Sequence, residues 1–288
     1  MFPADFTYHA PTSLDEALAL LAEHADDAKV LAGGQSLIPL MKLRFAIPAI
    51  VIDVNRLPDL DTLAEEDGEL HIGALVRNRA LERSDLLASR YPTMAAAAPL
   101  ISDPVVRNQG TMVGSLCHAD PQGDWASVLL ALDGEVVARS SGGERRIPIA
   151  EFLQGPFTTA LRPDELAVEA RVPGPGADFS GTYLKLERKV GDFATVGAAV
   201  FVALRGDTVT HAGIGLTGVG ATNIKAREAE QALVGQRLTD GVVEEAARLA
   251  AAASDPKSDI RGSAAYKRHV VQVFVARGLR QATAARAA

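Results

Sequence analysis

A glycine pair set between two apolar runs constrains this chain most. In "KVLAGGQSLIPLMKLR", residues 29–44, the run before Gly33 reads as a short buried strand and the run after Gly34 as a helix. Adjacent glycines favour neither structure, so the chain has to turn there. Pro39 falls within the first helical turn, where its missing N–H removes no hydrogen bond. Upstream, "SLDEALALLAEH" reads as a helix: Ser13 and Glu16 have capping-box spacing, and Leu14, Leu18 and Leu21 share one face. Downstream, "AIVIDV" reads as a second strand. The order predicts a small parallel β-α-β unit within residues 1–56.

The glycine pair admits two readings. A helix start has unpaired N–H groups and a partial positive charge, which suit phosphate; glycine permits close approach, and Ser36 adds a hydroxyl. A plain strand-to-helix turn would also use glycine. The pattern is neither GxGxxG nor GxxxxGK[ST], so neither of those arguments transfers. A second segment, "VRNQGTMVGSLCHADPQGDW" at 106–125, repeats the chemistry. It collects Gly110 and Gly114, Thr111 and Ser115, Asn108 and Gln109 into what reads as one loop, with Asp120 and Asp124 behind. Such a loop can wrap a pyrophosphate while a carboxylate accepts from ribose or ribityl hydroxyls; it can equally be an irregular connection with a turn at Asp120-Pro121.

Elsewhere "GELHIGALV" reads as a strand, and "NRALERSDLLASRYP" and "TMAAAAPLI" as helical. Val128 to Pro173 reads as short strands and turns, including "EVVARS" and "LAVEARVP". The proline- and glycine-rich "PGPGAD" at 173–178 marks a domain boundary. Beyond it come three strands, "GTYLKLERK", "TVGAAVFVAL" and "VTHAGIGLTGV", then helical stretches at 222–234, 240–253 and 262–281. Strands followed by helices predict an α+β layer, and "ATAARAA" reads as a frayed tail.

A net charge of −7 argues against nucleic acid as a partner. No apolar stretch reaches the roughly 18 residues of a membrane span. The start, "MFPADFTYHA", lacks a basic region followed by an apolar one, so a cytoplasmic location is expected. Cys117 is the only cysteine, which excludes an iron–sulfur cluster held by this chain alone. The six histidines form no HxxxH or HxH pair, so no metal site is expected. Cys117 reads as a buried inert thiol, Trp125 as core beneath the glycine segment, and Arg145-Arg146 as solvated surface or a subunit contact.

"AGGQS" at 32–36, "TMVGS" at 111–115 with "ADPQGD" behind it, "LKLERKVGDFATVGAAV" at 184–200 and "SDIRGSAAYKRHVV" at 258–271 occur in this order across essentially the whole chain. Together they resemble the FAD-binding medium subunit of the molybdenum hydroxylases, the group of carbon monoxide dehydrogenase and xanthine dehydrogenase. The resemblance implies an α+β chain. A two-part FAD-binding domain would span 1–176, with 1–56 as the small parallel β-α-β unit and 57–176 as a mixed or antiparallel sheet. A C-terminal domain of a small antiparallel sheet with helices would span 177–288. Lys29, Val30, Leu31, Ala32, Gly33, Gly34, Gln35 and Ser36, with Thr111, Met112, Val113, Gly114 and Ser115, would line the diphosphate of a noncovalent FAD. Ile101 would pack on the cofactor, Asp120 and Asp124 would face its sugar-like hydroxyls, and Lys185, Asp192 and Phe193 would lie near the flavin ring.

Two positions depart from the family pattern. The second glycine segment usually reads T-x-G-G, and here Val113 takes the place of a glycine. A β-branched residue is poorly compatible with positive φ, so Val113 is expected at negative φ, contributing through its backbone. Phe193 stands where some relatives have tyrosine, which removes a hydroxyl from the flavin's surroundings. The resemblance also implies partners: a small subunit with two [2Fe–2S] clusters and a large molybdenum subunit, two copies of each, with electrons leaving to an external acceptor. No catalytic acid, base or nucleophile is assigned in this chain. A stand-alone flavin oxidoreductase, a non-catalytic nucleotide-binding module and an assembly subunit without FAD remain alternatives at this point.

Overall fold

The computed structural model of the chain describes residues 2–284; part of the tail "ATAARAA" lies outside the described residues. The first unit runs β1 (Thr7–His9), α1 (Leu14–His24), β2 (Ala28–Leu31), α2 (Leu37–Lys42) and β3 (Ile50–Asp53). Its sheet is parallel with strand order β1-β3-β2. The Ser13 side chain accepts from Glu16 N–H, and Glu16 accepts in return from Thr12 N–H, so α1 starts as the capping spacing predicts. β1 is the strand the sequence reading misses. Its three residues are largely exposed and carry no apolar alternation.

The second unit contains β4 (Leu63–Glu66), β5 (Glu69–Gly73), α3 (Asn78–Glu82), α4 (Asp85–Arg90), α5 (Pro92–Ala97), α6 (Pro104–Gln109), α7 (Met112–His118) and α8 (Asp124–Ala131). It continues through β6 (Glu135–Ser140), β7 (Gly143–Pro148), α9 (Ile149–Phe152), β8 (Leu153–Gly155), β9 (Thr158–Thr159) and β10 (Leu166–Pro173). Five strands form an antiparallel sheet of order β4-β5-β10-β6-β7. Ala17, Leu18 and Leu21 of α1 pack with Ile52 of β3 and with Val137, Leu166 and Val168 of this sheet, so α1 joins the two units.

Two expectations are corrected here. Residues 106–125 are not one loop but parts of three short helices, because side chains cap the starts. Asp103 accepts from Val106 N–H, and Thr111 accepts from Gly114 N–H. Strand structure begins at Glu135 rather than Val128, since α8 continues to Ala131.

The last part has β11 (Phe179–Leu186), β12 (Val196–Arg205), β13 (Thr208–Thr217) and β14 (Ile224–Lys225), then α10 (Arg227–Leu233), α11 (Asp240–Ala253) and α12 (Ala264–Ala284). Residues 224–225, expected as helix, pair with β13 instead. The sheet is antiparallel, order β11-β12-β13-β14. It is buried on both faces, which is why "VGAAVFVAL" shows no polar alternation. Val196, Ala198, Val200 and Val202 pack towards the C-terminal helices. Ala199 and Phe201, with Tyr183, join instead the main core around Trp125, Met94 and Met112. That core therefore runs across the division expected at residue 176.

On this inner face helix α8 lies against β13 backbone to backbone. A Cβ at Gly213 would sit 1.7 Å from the Ala131 carbonyl oxygen, and one at Gly215 would sit 1.9 Å from that of Ser127.

Candidate cofactor site

The two glycine segments, 75 or more residues apart in sequence, meet in space. A Cβ at Gly33 would stand 2.5 Å from the Gln109 carbonyl oxygen, 2.7 Å from Gly110 Cα and 3.0 Å from Thr111 N. Gly34 adopts φ +71, a left-handed conformation that reverses the chain between β2 and α2. Gly33 to Ser36 are all half-buried, as are Gly114 and Ser115 in the first turn of α7. Thr111, Met112 and Val113 are buried. The side chains of Met112 and Val113 join the main core, so only the backbone of those two faces the meeting point. Val113 is helical and is absent from the positive-φ residues, consistent with its β-branch. The valine thus exchanges a glycine for core volume without backbone strain.

A chain of hydrogen bonds pins the two segments. Arg77 donates through Nη1 to the Gln109 carbonyl at 2.8 Å and through Nη2 to Asn55 Oδ1 at 2.6 Å. Asn55 Nδ2 donates to the Ala32 carbonyl at 2.9 Å and to Asp53 Oδ1, while Tyr8 donates to Asp53 Oδ2 at 2.6 Å. Asn78 N–H donates to the Gly110 carbonyl, and its Oδ1 accepts from Trp125 Nε1 at 2.9 Å. Trp125 is fully buried beneath the segment, as expected.

The residues expected at the flavin ring gather at the other end of α6. That helix of 6 residues separates the two groups by about 9 Å along its axis. Arg107, buried and paired with Glu82, donates to the carbonyls of Ile101 and Ser102 at 3.1 and 2.9 Å. Burial opposes ionisation of Glu82, but bonds from Arg79 and Arg107 outweigh it and hold the carboxyl below its ordinary range. Gly191 lies against Ser102 and Asp103, which places the turn carrying Asp192 and Phe193 beside Ile101. Arg261 fastens that turn, donating to the Phe193 carbonyl at 2.8 Å and to Asp192 Oδ1 at 3.2 Å. Phe193 is 48% exposed, and Asp192 Oδ2 is a buried oxygen with no hydrogen-bond partner.

Asp124 and Lys185 depart from expectation. Neither faces an open crevice. Asp124 is buried, accepting from Tyr183 and, at 3.0 Å, from Lys185. Lys185 Nζ also donates to the Leu100 carbonyl at 2.8 Å. Burial pushes the Asp124 carboxyl above its ordinary value, against the pull of Lys185 and Tyr183. The pair supports the Ile101 loop from beneath: Asp124 opens α8, Lys185 stands on β11, and Lys185 ties both to the Leu100 carbonyl. Asp120 is half-buried and bonds Gln122 N–H in a turn at 2.9 Å. Lys29 is exposed on β2, beside Val30 and Leu31. Cys117 is half-buried and packs against the main core, where burial pushes its thiol up to about 12.

Sequence reasoning missed Asn55, Arg77, Asn78, Glu82 and Arg107. The contacts that tie them to other elements, Arg77 to Asn55, Asn78 to Trp125 and Arg107 to Glu82, span 22, 47 and 25 residues, so no local spacing announces them. Among the described residues no group of three or more His, Cys, Asp and Glu is placed to hold a metal.

Comparisons with known proteins identify the family. Residues 4–175 match the FAD binding domain in molybdopterin dehydrogenase, and residues 181–282 match the CO dehydrogenase flavoprotein C-terminal domain. The chain is 41% identical over 284 residues to the carbon monoxide dehydrogenase medium chain of Hydrogenophaga pseudoflava, covering 99% of each. It is 40% identical over 287 residues to the 6-hydroxypseudooxynicotine dehydrogenase complex subunit alpha of Paenarthrobacter nicotinovorans, covering 98% of this chain and 96% of that one. Its fold superposes on a chain of the Hydrogenophaga carbon monoxide dehydrogenase lacking the Mo-pyranopterin moiety, with TM-score 0.95, 43% identity and 99% of each covered. Two family matches in order along one chain, full-length identity to medium chains and the joined glycine segments lead to one assignment: the chain belongs to the FAD-binding medium subunits of the molybdenum hydroxylases.

Proposed function

We propose that this chain is the FAD-carrying electron-transfer subunit of a molybdenum hydroxylase complex, of the carbon monoxide, aldehyde or N-heterocycle dehydrogenase type. It would take electrons from a small cluster-bearing subunit and deliver them to an external acceptor. Substrate oxidation would be left to a large molybdenum subunit, with two copies of each subunit in a cytoplasmic assembly. The observation that carries the reading is the approach of Gly33 to the backbone of Gln109, Gly110 and Thr111, which brings both glycine segments to one place with no room for a side chain.

When bound, FAD exchanges electrons with both two-electron and one-electron carriers. The chain's own residues bind and orient it. Gly33, Gly34, Gln35 and Ser36, with the start of α7, offer backbone N–H groups and the Ser36 and Ser115 hydroxyls to a diphosphate. Ile101 and Phe193 form apolar walls for a flat ring, and beside them Asp192 presents Oδ2, which accepts no hydrogen bond and lies 3.4 Å from Arg188 Nε. Arg107 and Lys185 act one layer below, each fixing carbonyls of the Leu100–Ser102 loop. In this reading residues 1–176 clasp the diphosphate end, with 1–56 and 57–176 each supplying one glycine segment. Residues 177–288 supply Lys185, Asp192 and Phe193. The division is one of function, since the core crosses it.

The sole thiol packs half-buried against the core with its pKa raised, so no covalent flavin link is expected from it. Acid precipitation of the purified chain or complex should release the flavin into the supernatant, with the spectrum of free FAD. Colour retained in the washed pellet would refute noncovalent binding, and a preparation with no flavin bands would refute the FAD reading.

A further inference from the structure

Beside the segment "PGPG" at 173–176 the chain encloses a second cavity, of about 390 Å³. That lies at the lower end of the roughly 300–1,000 Å³ of small-molecule sites. Neither glycine segment lines it, nor do Ile101, Asp192 or Phe193, so it is separate from the cofactor site. Part of its lining is the inner face of the C-terminal sheet. Phe201 and Ala203 stand two apart on β12, and His211 pairs with Ala203 from β13. The Phe201 and His211 rings are 5.9 Å apart. The rest comes from before residue 176: Tyr91 and Pro92 at the start of α5, Leu132 and Asp133 after α8, and the "PGPG" segment itself. Proline fixes φ in that segment, and Gly174 N–H donates to the Gly68 carbonyl at 2.8 Å, so this part of the lining is formed in advance.

The polar groups narrow the occupant. Tyr91 is 1% exposed, and its hydroxyl has no hydrogen-bond partner among the described residues. Burial, with the charge of Glu65 nearby, pushes its pKa up to about 12, so the hydroxyl keeps its proton and is a donor without an acceptor. The charged groups at the cavity are already paired. Arg90 donates to the two Glu65 oxygens at 3.2 and 2.7 Å. Asp133 lies 3.3 Å from His211 Nε2 and 3.0 Å from Lys225 Nζ. An ionised ligand would therefore bring an uncompensated charge among apolar side chains. We propose that this cavity binds an uncharged aromatic small molecule whose carbonyl oxygen or ring nitrogen accepts from Tyr91. The inference does not rest on the electron-transfer reading. Because residues on both sides of residue 176 line the cavity, the occupant bridges them and stabilises the folded chain.

The test is calorimetric titration of the purified full chain with two uncharged bicyclic probes, coumarin and 2-quinolone. At least one should bind one-to-one and raise the thermal midpoint. Tyr91→Phe should weaken that binding by roughly tenfold, the worth of one hydrogen bond. Without a probe the same variant should be at least as stable as the wild type, since it loses a hydroxyl that makes no bond within the chain. Ala203→Phe, which fills the cavity, should abolish binding. Coumarin-3-carboxylate should bind at least roughly tenfold more weakly than the better uncharged probe. Failure of both probes to bind would overturn the proposal, as would undiminished binding to Tyr91→Phe or to a folded Ala203→Phe. Equal affinity for the carboxylate would overturn it too. If Ala203→Phe does not fold, Tyr91→Phe and the carboxylate decide the matter.

Discussion

Gly33→Val should purify without flavin. The introduced Cβ would lie 2.5 Å from the Gln109 carbonyl oxygen and 2.7 Å from Gly110 Cα, and backbone on both sides leaves no flexible side chain to give way. The two glycine segments have to separate by an ångström or more, and the diphosphate seat they share opens with them. Overpacking of this kind costs about 1–3 kcal/mol of stability. The larger effect is on occupancy, since N–H groups displaced by an ångström no longer converge on one anion. Flavin content, read as the visible band against protein absorbance, should fall by at least roughly tenfold. Gly241→Ala, in α11 with open space around its Cα, should retain full occupancy. A Gly33→Val chain with wild-type flavin content would remove this segment from the site.

Lys185→Met should destabilise the chain by about 3–5 kcal/mol, the usual consequence of removing one member of a buried ion pair. Lys185 is 2% exposed in its side chain and Asp124 is 7%, so the orphaned carboxylate could not reach water. The Leu100 carbonyl would lose its donor as well. The midpoint of urea denaturation reads the loss. Asp124→Asn combined with Lys185→Met should recover part of it, because the more deeply buried charge is then gone while Tyr183 can still donate to the amide oxygen; Glu187, 3.6 Å from the lost ammonium, keeps the rest of the penalty. If the double variant were as unstable as the single one, the packing of the lysine stem, rather than the charge pair, would be the source.

The long strands and helices were legible because their patterns are local. Leu14, Leu18 and Leu21 face one core, and the capping spacing at Ser13 starts the helix where expected. β11, β12 and β13 occur close to where they are read, except that β11 ends at Leu186 rather than Lys189. What failed was the glycine-rich stretch from 106 to 125. Glycine and asparagine there suggested a loop, whereas hydroxyl and carboxylate caps at Thr111 and Asp103 start helices across it. β1 was invisible because three half-solvated residues carry no periodic signal. Of the site, the backbone-donating residues came from sequence, since glycine records a requirement for close approach in the residue itself. The side chains that hold the site together did not. Nothing in "VNR" or "VRN" tells that Asn55 and Arg77 reach backbone carbonyls 23 and 32 residues away, or that Arg107 pairs with Glu82 across 25, and in this structure Asp124 and Lys185 are buried against each other.

The contact of α8 with β13 through Gly213 and Gly215 has a consequence for how the halves behave in time. Two sequence-defined halves usually meet through a layer of side chains, and such a layer lets them slide or hinge. Here backbone rests on backbone, and the surrounding core draws Tyr183, Ala199 and Phe201 from one half and Trp125 and Met94 from the other. The C-terminal half keeps a second core between its sheet and its last helices, but the core around Trp125 needs both halves, and parting them would expose it. A cofactor seated as proposed above would keep its distance to whatever docks outside the seam. Tunnelling rates fall steeply with distance, so a chain whose halves cannot breathe holds its electron-transfer rate steady without a moving part.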